Sequence, residues 1–189
     1  MKYYILFGPP GAGKGTQANL MVDKFNLHHV STGDLLRAEI AKGTELGHLA
    51  KSLIDKGNFV DDSIVEQMIE NEIENNPQVT GFIFDGFPRT IAQAEVLEKM
   101  LEKRGHEVTK VISIIIEDKL VFDRIRHRAS IEGRMDDTSA EIIQNRINTY
   151  HKKTEPLIEY YKNRGKYFEI DGNGEIQKIF GKISDLINQ

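Results

Sequence analysis

The sequence predicts an α/β fold in which one sheet of five parallel strands lies between layers of helices. Three observations predict it. Short apolar segments at 3–7, 28–30, 82–85, 111–116 and 167–170 read as strands and alternate with longer stretches of helical periodicity. The segments 82–85 and 111–116 are nearly all apolar, as strands covered on both faces are. Strand and helix succeed one another along the chain, the arrangement that parallel crossovers produce.

Taken in order, Tyr3-Tyr4-Ile5-Leu6-Phe7 is too short, and too rich in aromatic and β-branched residues, for anything but a buried strand. It breaks into Gly8-Pro9-Pro10-Gly11-Ala12-Gly13-Lys14-Gly15-Thr16, and 14–25 reads as a helix. After the strand His28-His29-Val30, helical patterns cover 33–42, 46–56 and 61–75. Helices at 90–104, 118–128, 139–164 and 175–187 fill the spaces around the last three strands. Thr32-Gly33-Asp34, Asp61-Asp62-Ser63 and Asp137-Thr138-Ser139 supply capping oxygens, and Asp171-Gly172-Asn173-Gly174 supplies turn glycines. Residues 31–60 stand apart. Two short helices there follow a very short strand, with glycines at 43, 47 and 57, and read as a small helical insertion able to move against the sheet.

A chain of 189 residues can bury one sizeable core with small excursions. Hydrophobic residues at 39% and charged residues at 29% describe a soluble globular protein. No run approaches the ~20 apolar residues of a membrane span, and a strand beginning at once leaves no room for a signal peptide. The absence of cysteine excludes disulfides and thiolate zinc sites and is compatible with a reducing cytoplasm, the expected location. A net charge of −4 argues against a general nucleic-acid binder. Nothing points to an obligate interface, so a monomer is expected.

The strand, glycine loop and helix start at residues 3–17 form an anion site. Glycines let the backbone wrap a cluster of oxygens, several N–H groups point inward, and the helix dipole adds positive potential. Lys14 adds a mobile charge for the outer phosphates. The spacing fits the Walker A rule, except that Gly15 takes the Ser/Thr slot and the hydroxyl arrives at Thr16. Six of the nine arginines gather in four places: Arg37 one turn into a helix, Arg89 at the close of Asp85-Gly86-Phe87-Pro88-Arg89, Arg124 with Arg128 four apart, and Arg134 with Arg146 further on. Arginine suits phosphate because its planar fork donates in pairs and stays charged. Taken alone, Arg124 and Arg128 read more readily as a solvated helix face than as ligands. Asp85 ends an apolar strand as a Walker B carboxylate does, or as a capping aspartate does. His28-His29 reads as strand with one ring packed rather than as a metal pair, and Phe87-Pro88 as a candidate cis bond.

Four ordered motifs now resemble the adenylate kinase family over essentially the whole chain. They are Gly8 to Gln17, Ser31-Thr32-Gly33-Asp34-Leu35-Leu36-Arg37, Asp85-Gly86-Phe87-Pro88-Arg89-Thr90 and Gly133-Arg134-Met135-Asp136-Asp137. That family also has glycine where Gly15 stands. The resemblance implies a P-loop NTPase-type three-layer sandwich: a core of 1–30, 61–127 and 139–189, a monophosphate-binding domain at 31–60, and a short lid at 128–138 without a zinc site. It implies that Gly11, Ala12, Gly13, Lys14, Gly15, Thr16, Arg124, Arg128 and the Gly174 backbone hold ATP. Thr32, Arg37, Asn58, Phe59, Val60, Gly86, Phe87, Pro88, Arg89, Gln93, Arg134 and Arg146 would hold AMP. Lys14, Arg89, Arg124, Arg128, Arg134 and Arg146 form the implied catalytic set, with Mg²⁺ held through water by Asp85 and Asp34. The stretch from Arg134 to Arg146 is one residue longer than in compared relatives, a helical rotation of ~100°. Arg146 keeps its place if the Thr138-Ser139-Ala140 turn absorbs that residue.

The implied reaction is MgATP + AMP ⇌ 2 ADP, with ATP, AMP and ADP as the only partners. Thr32 and Gln93 match the adenine-reading pattern, whereas relatives acting on pyrimidine monophosphates tend to carry alanine and asparagine. The alternatives are a UMP/CMP kinase, another small-metabolite P-loop kinase, and a non-catalytic nucleotide-binding module.

Overall fold

The computed structural model describes residues 1–133, 137 and 139–189. Its sheet comprises β1 (Lys2–Phe7), β2 (His28–Ser31), β3 (Gly81–Asp85), β4 (Lys110–Ile115) and β5 (Tyr167–Asp171). All pairings are parallel, in the order β2-β3-β1-β4-β5. β1 is central, and its side chains alternate between two cores. Tyr3, Ile5 and Phe7 join Phe82 and Phe84 on one face, while Tyr4 and Leu6 join Ile83, Ile112 and Ile114 on the other. A strand with both faces buried loses the polar half of its alternation, so β1 reads as a continuous apolar run. The rings of Tyr3 and Phe82 stack with centroids 5.5 Å apart.

Helices close both faces. α4 (Asp62–Asn75), α5 (Ile91–Glu102) and α8 (Leu157–Lys162) bury Ile69, Leu97 and Leu157 in the first core. α1 (Lys14–Phe25), α6 (Asp118–Glu132), α7 (Ala140–Thr149) and α9 (Ile176–Ile187) bury Met21, Ile125, Ile143 and Ile183 in the second. The insertion after β2 is a pair of helices, α2 (Thr32–Lys42) and α3 (Glu45–Ile54). They pack so closely that a Cβ on Gly47 would lie 2.2 Å from the Glu39 carbonyl oxygen.

Three elements differ from the sequence reading. The helix expected over 139–164 is broken: α7 ends at Thr149, a π-helical turn spans Tyr150–Thr154, and α8 follows Pro156. Pro156 has no N–H to continue the ladder, and the π turn buries Tyr150 and Thr154 together. α6 runs past 128 to Glu132, so the expected lid begins inside this helix, which ends at Gly133 with φ +63°. Ser31, not Thr32, caps α2, accepting a hydrogen bond from the Asp34 N–H. Most other ends fall within a residue or two of expectation. The Phe87–Pro88 bond is cis. Among the described residues no helix is long and apolar enough to cross a membrane.

Candidate active site

The loop from Gly8 to Gly13 carries β1 into α1. A Cβ on Gly8 would sit 2.4 Å from the Ile114 carbonyl oxygen, so the loop hugs β4 only because that atom is missing. Gly13 takes the N-cap position at φ +90°, with no side chain to occupy the first-turn N–H groups. Those donors have no partners within the helix, and no acidic residue stands in the first turn. Lys14 folds back over the loop, its Nζ donating to the carbonyls of Gly8 and Pro9 at 3.0 Å each. Burial pushes the Lys14 ammonium down to about 8; Asp85 opposes that shift, and Arg89, Arg128 and Arg146 add to it. Asp85 stands close to Gly15, its Oδ2 3.9 Å from where a Cβ would be, an ordinary contact distance. Burial works to raise the Asp85 carboxyl, but the His29 ring, Lys14 and Arg89 outweigh it and hold the group below the usual carboxylate range. His29 Nε2 stands 3.8 Å from Asp85 Oδ2. At the far end, Gln17 donates to the Ile176 carbonyl at 3.1 Å, which holds the start of α9 and the nearby Gly174 against α1.

Lys14, Arg89 and Arg128 line one cavity of about 700 Å³, together with Gly11 to Thr16, Asp34, Arg37, Asp85, Arg124, Arg146 and Gly174. Each described arginine of the expected set already has an internal oxygen partner. Arg37 Nη2 meets Asp34 Oδ1 at 2.5 Å, Arg89 Nε the Gly86 carbonyl at 2.7 Å, and Arg124 the Gly172 carbonyl at 2.9 Å. Arg128 holds Asp137 through two bonds of 2.7 and 2.9 Å, and Arg146 bonds the same carboxylate. The Asp137 side chain has no exposed surface. Arg124 is thus tied to the loop beside Gly174, while Arg128 and Arg146 share another anchor. Ser139 caps α7 from the Ile142 N–H, and with that start Arg146 reaches the cavity despite the longer spacing. Arg134 lies outside the described residues.

A second cavity is lined by Thr32, Leu36, Ile54, Gly57, Asn58, Val60, Val65 and Gln93. It shares Gly33, Arg37, Phe59, Gly86, Arg89 and Arg146 with the first. Its inner wall holds the buried Gln93 amide: Oε1 accepts from the Arg89 N–H at 2.7 Å, and Nε2 donates to Asp62 Oδ1 at 2.7 Å. Thr32 donates to the Gly86 carbonyl at 3.0 Å. Pro88 lines the first cavity, whereas the Phe87 ring is buried in the core and only its main chain is left to offer a ligand. Asn145 of α7 donates to the Lys56 carbonyl at 2.7 Å, tying that helix to the end of the insertion.

Four residues escaped the sequence reading. Asp62 and Asp137 stood in stretches that looked like helix caps. Asp61 does cap α4, but Asp62 turns to Gln93, and Asp137 gathers two arginines. Thr154 donates to the Arg89 carbonyl at 3.0 Å, and Tyr150 lines the larger cavity beside Phe7. Both depend on the π turn, which leaves no mark in the periodicity. Chemically, two clefts meeting at three arginines can hold two anionic ligands end to end.

Comparison with known proteins agrees with this geometry. A family model described as adenylate kinase matches residues 6–166. The chain is similar to an adenylate kinase of Flavobacterium psychrophilum, 46% identical over 97% of both chains. An adenylate kinase of Parabacteroides distasonis is 43% identical over 97% of this chain and 96% of its own. One from Stenotrophomonas maltophilia is 42% identical over 95% of each.

Proposed function

The chain belongs to the adenylate kinase family, and on that premise we propose how its residues divide the work. The enzyme is a nucleoside monophosphate kinase that moves the terminal phosphoryl group of ATP reversibly to AMP. In our reading ATP lies in the larger cavity, its phosphates on the loop Gly11 to Thr16 and its base beside Arg124 and Gly174. AMP lies in the second cavity, its base against Thr32 and Gln93 and its phosphate on Arg37, Arg89 and Arg146. The observation that carries this reading is the set of arginines common to both cavities.

No side chain acts as nucleophile. An AMP phosphate oxygen attacks the γ-phosphorus in line, the bond from that phosphorus to the β-phosphate bridging oxygen breaks, and ADP departs as ADP forms. The protein therefore contributes position and charge. Two unit charges ~4 Å apart repel by on the order of 4 kcal/mol at an effective dielectric of 20. Two nucleotides present several such repulsions, more than one lysine offsets, and Arg89, Arg128 and Arg146 around Lys14 supply the rest. The ionised Asp85, the Thr16 hydroxyl and Asp34 line the same cavity, an all-oxygen donor set suited to Mg²⁺. When bound, that ion would add positive charge to the donor phosphates. Asp85 and Asp34 would hold it through water, with the His29 ring, Lys14 and Arg89 together favouring the Asp85 carboxylate.

The helical pair after β2 serves as the monophosphate-binding domain, and the end of α6 with the following residues as a short lid. Closure of the two excludes water, the competing acceptor. We also infer a cytoplasmic monomer acting on small molecules and not on nucleic acid, a reading its net charge of −4 supports. The Gln93 amide, oriented by Arg89 and Asp62, can present a donor and an acceptor to an adenine edge, which favours AMP over pyrimidine monophosphates. A panel of AMP, UMP and CMP with MgATP, followed by ³¹P NMR, tests this. AMP should turn over fastest, and faster turnover of UMP or CMP would overturn the assignment of the acceptor cavity.

A further inference from the structure

Gln93 is a buried amide in which each polar atom holds one protein partner. The residue is 3% exposed and lines the acceptor cavity. Its Oε1 accepts from the Arg89 main-chain N–H and its Nε2 donates to Asp62 Oδ1, each at 2.7 Å. The two partners have opposite and fixed characters. A backbone N–H can only donate, and a carboxylate oxygen can only accept. Turning the amide over would set donor against donor at Arg89 and oxygen against oxygen at Asp62. Helix capping does not account for the second partner. Asp61 caps α4, its Oδ1 accepting from the Ser63 N–H at 2.9 Å, while Asp62 reaches across to α5. An acidic residue in a first turn gains from the helix dipole wherever its side chain points, so that gain does not select Gln93.

Each amide atom keeps one place for a ligand: a second Nε2 proton and a second Oε1 lone pair. The inference rests on the reading above, in which the base of AMP lies against Gln93, so those places meet the edge of a purine. Adenine offers its N6 amino group as donor and N1 as acceptor. A 6-oxo purine reverses the order, O6 accepting and N1–H donating. An amide held in one sense satisfies the first base and opposes the second at both atoms. An amide free to turn over satisfies either. We propose that Asp62 is a positioning residue that makes the acceptor cavity select 6-amino over 6-oxo purine monophosphates, by holding the Gln93 amide in one sense. Arg89 supplies part of that hold through its main chain, which no side-chain substitution removes. Asp62 supplies the rest, and its charge makes its bond the stronger of the two.

The experiment measures kcat/KM for AMP and for IMP, each with MgATP, in wild type, Asp62→Asn and Gln93→Ala. Asparagine keeps the shape of Asp62 but can donate as well as accept, so a turned Gln93 amide then loses only the Arg89 bond. The AMP-to-IMP ratio should fall about tenfold to a hundredfold in Asp62→Asn, the range of one hydrogen bond to a charged group. Part of that fall should be a rise in kcat/KM for IMP itself. A role confined to starting α4 would lower both substrates alike and leave the ratio where it was. Independently of any kinetics, one Gln93 side-chain amide proton in the wild-type protein should resonate downfield of free glutamine, as a proton bonded to a carboxylate does. In Asp62→Asn that signal should move back.

An unchanged AMP-to-IMP ratio in Asp62→Asn, or a ratio that falls through loss of AMP turnover with no gain for IMP, would overturn the proposal. So would Gln93 amide protons at the free-glutamine position in wild type, a result that stands however the variants fold. Gln93→Ala separates this inference from the reading beneath it. A wild-type ratio in Gln93→Ala would put the base elsewhere and remove the assignment of the acceptor cavity as well. A ratio that collapses in Gln93→Ala but holds in Asp62→Asn would remove this inference only.

Discussion

Raising the pH perturbs one group at the centre of this site before any mutation is made. Lys14 titrates near 8 in the empty protein instead of near 10.5, because burial and three neighbouring arginines disfavour its charge. Phosphate oxygens favour that charge, so bound nucleotide returns the pKa to its ordinary value or above. Binding then takes up a proton wherever free Lys14 is neutral. At pH 9 only about a tenth of the free protein carries the proton, against about nine-tenths at pH 7, so ATP should bind about tenfold more weakly at the higher pH. Titration calorimetry in buffers of different ionisation enthalpy should record uptake of about 0.9 proton at pH 9 and about 0.1 at pH 7. Lys14→Met removes the effect and serves as the reference that subtracts the nucleotide's own titration. The same shift carries a cost in the empty fold. It is fully present below pH 8 and fades as the pH rises toward 10.5. With the partial exposure of Lys14 discounted, it amounts to roughly 1–2 kcal/mol. Lys14→Met should therefore melt a few degrees above wild type at pH 7, with the gap closing toward pH 10.5, while turnover drops by orders of magnitude. A pH-independent affinity in wild type, after subtraction of the Lys14→Met reference, would refute the reasoning.

The other predictions concern the arginines and the base pocket. Arg89→Ala should lower kcat by about three orders of magnitude or more, with a far-UV spectrum like wild type, since its side chain serves both cavities; near-normal turnover would strike it from the catalytic set. Asp137→Asn leaves two guanidinium groups without their shared charge. It should cost about 3 kcal/mol in urea unfolding and about a hundredfold in kcat through misplaced Arg128 and Arg146, and an unchanged rate would show the carboxylate to be structural only. Thr32→Ala with Gln93→Asn should move the AMP-to-CMP ratio of kcat/KM by tenfold or more toward the pyrimidine; an unmoved ratio would place base recognition elsewhere.

What the sequence made legible is what short-range physics determines. β1 and the loop after it are read directly, because a doubly covered strand must be apolar throughout and a loop wrapped round oxygens needs glycine at Gly8 and Gly13. The five strands and the helical pair after β2 follow from the same patterns. The π turn at Tyr150–Thr154 was not legible, because one widened turn shifts the side chains without altering which residues are apolar. Pro156 was its only sign. Asp137 escaped for a different reason. Its place beside Ser139 is the signature of a helix start, yet its burial comes from Arg128 and Arg146, each nine positions away in opposite directions. Phe87, legible as part of a motif, gives its ring to the core and leaves only main chain to the cleft.

An acidic chain can keep so many cations in one cleft because the empty site gives each of them an internal partner, a carboxylate for some and carbonyls for others. Arg37 rests on Asp34, Arg128 and Arg146 on Asp137, Lys14 on two carbonyls with Asp85 near, and Arg89 on a carbonyl and a ring. Nucleotide binding is therefore an exchange of partners, and its strength is a difference between two sets of contacts. The exchange is not uniform. The Asp34 side chain is 61% exposed and can give up Arg37 to a phosphate while regaining water. The Asp137 carboxylate has no exposed surface and nowhere to gain solvation, so it keeps its arginines when ligand arrives. On the proposed division of the site, Arg37 would then act as a mobile ligand for the acceptor phosphate. Arg128 and Arg146 share one buried carboxylate, and on the same proposal that fixed pair would stabilise developing charge without reorganising during the reaction.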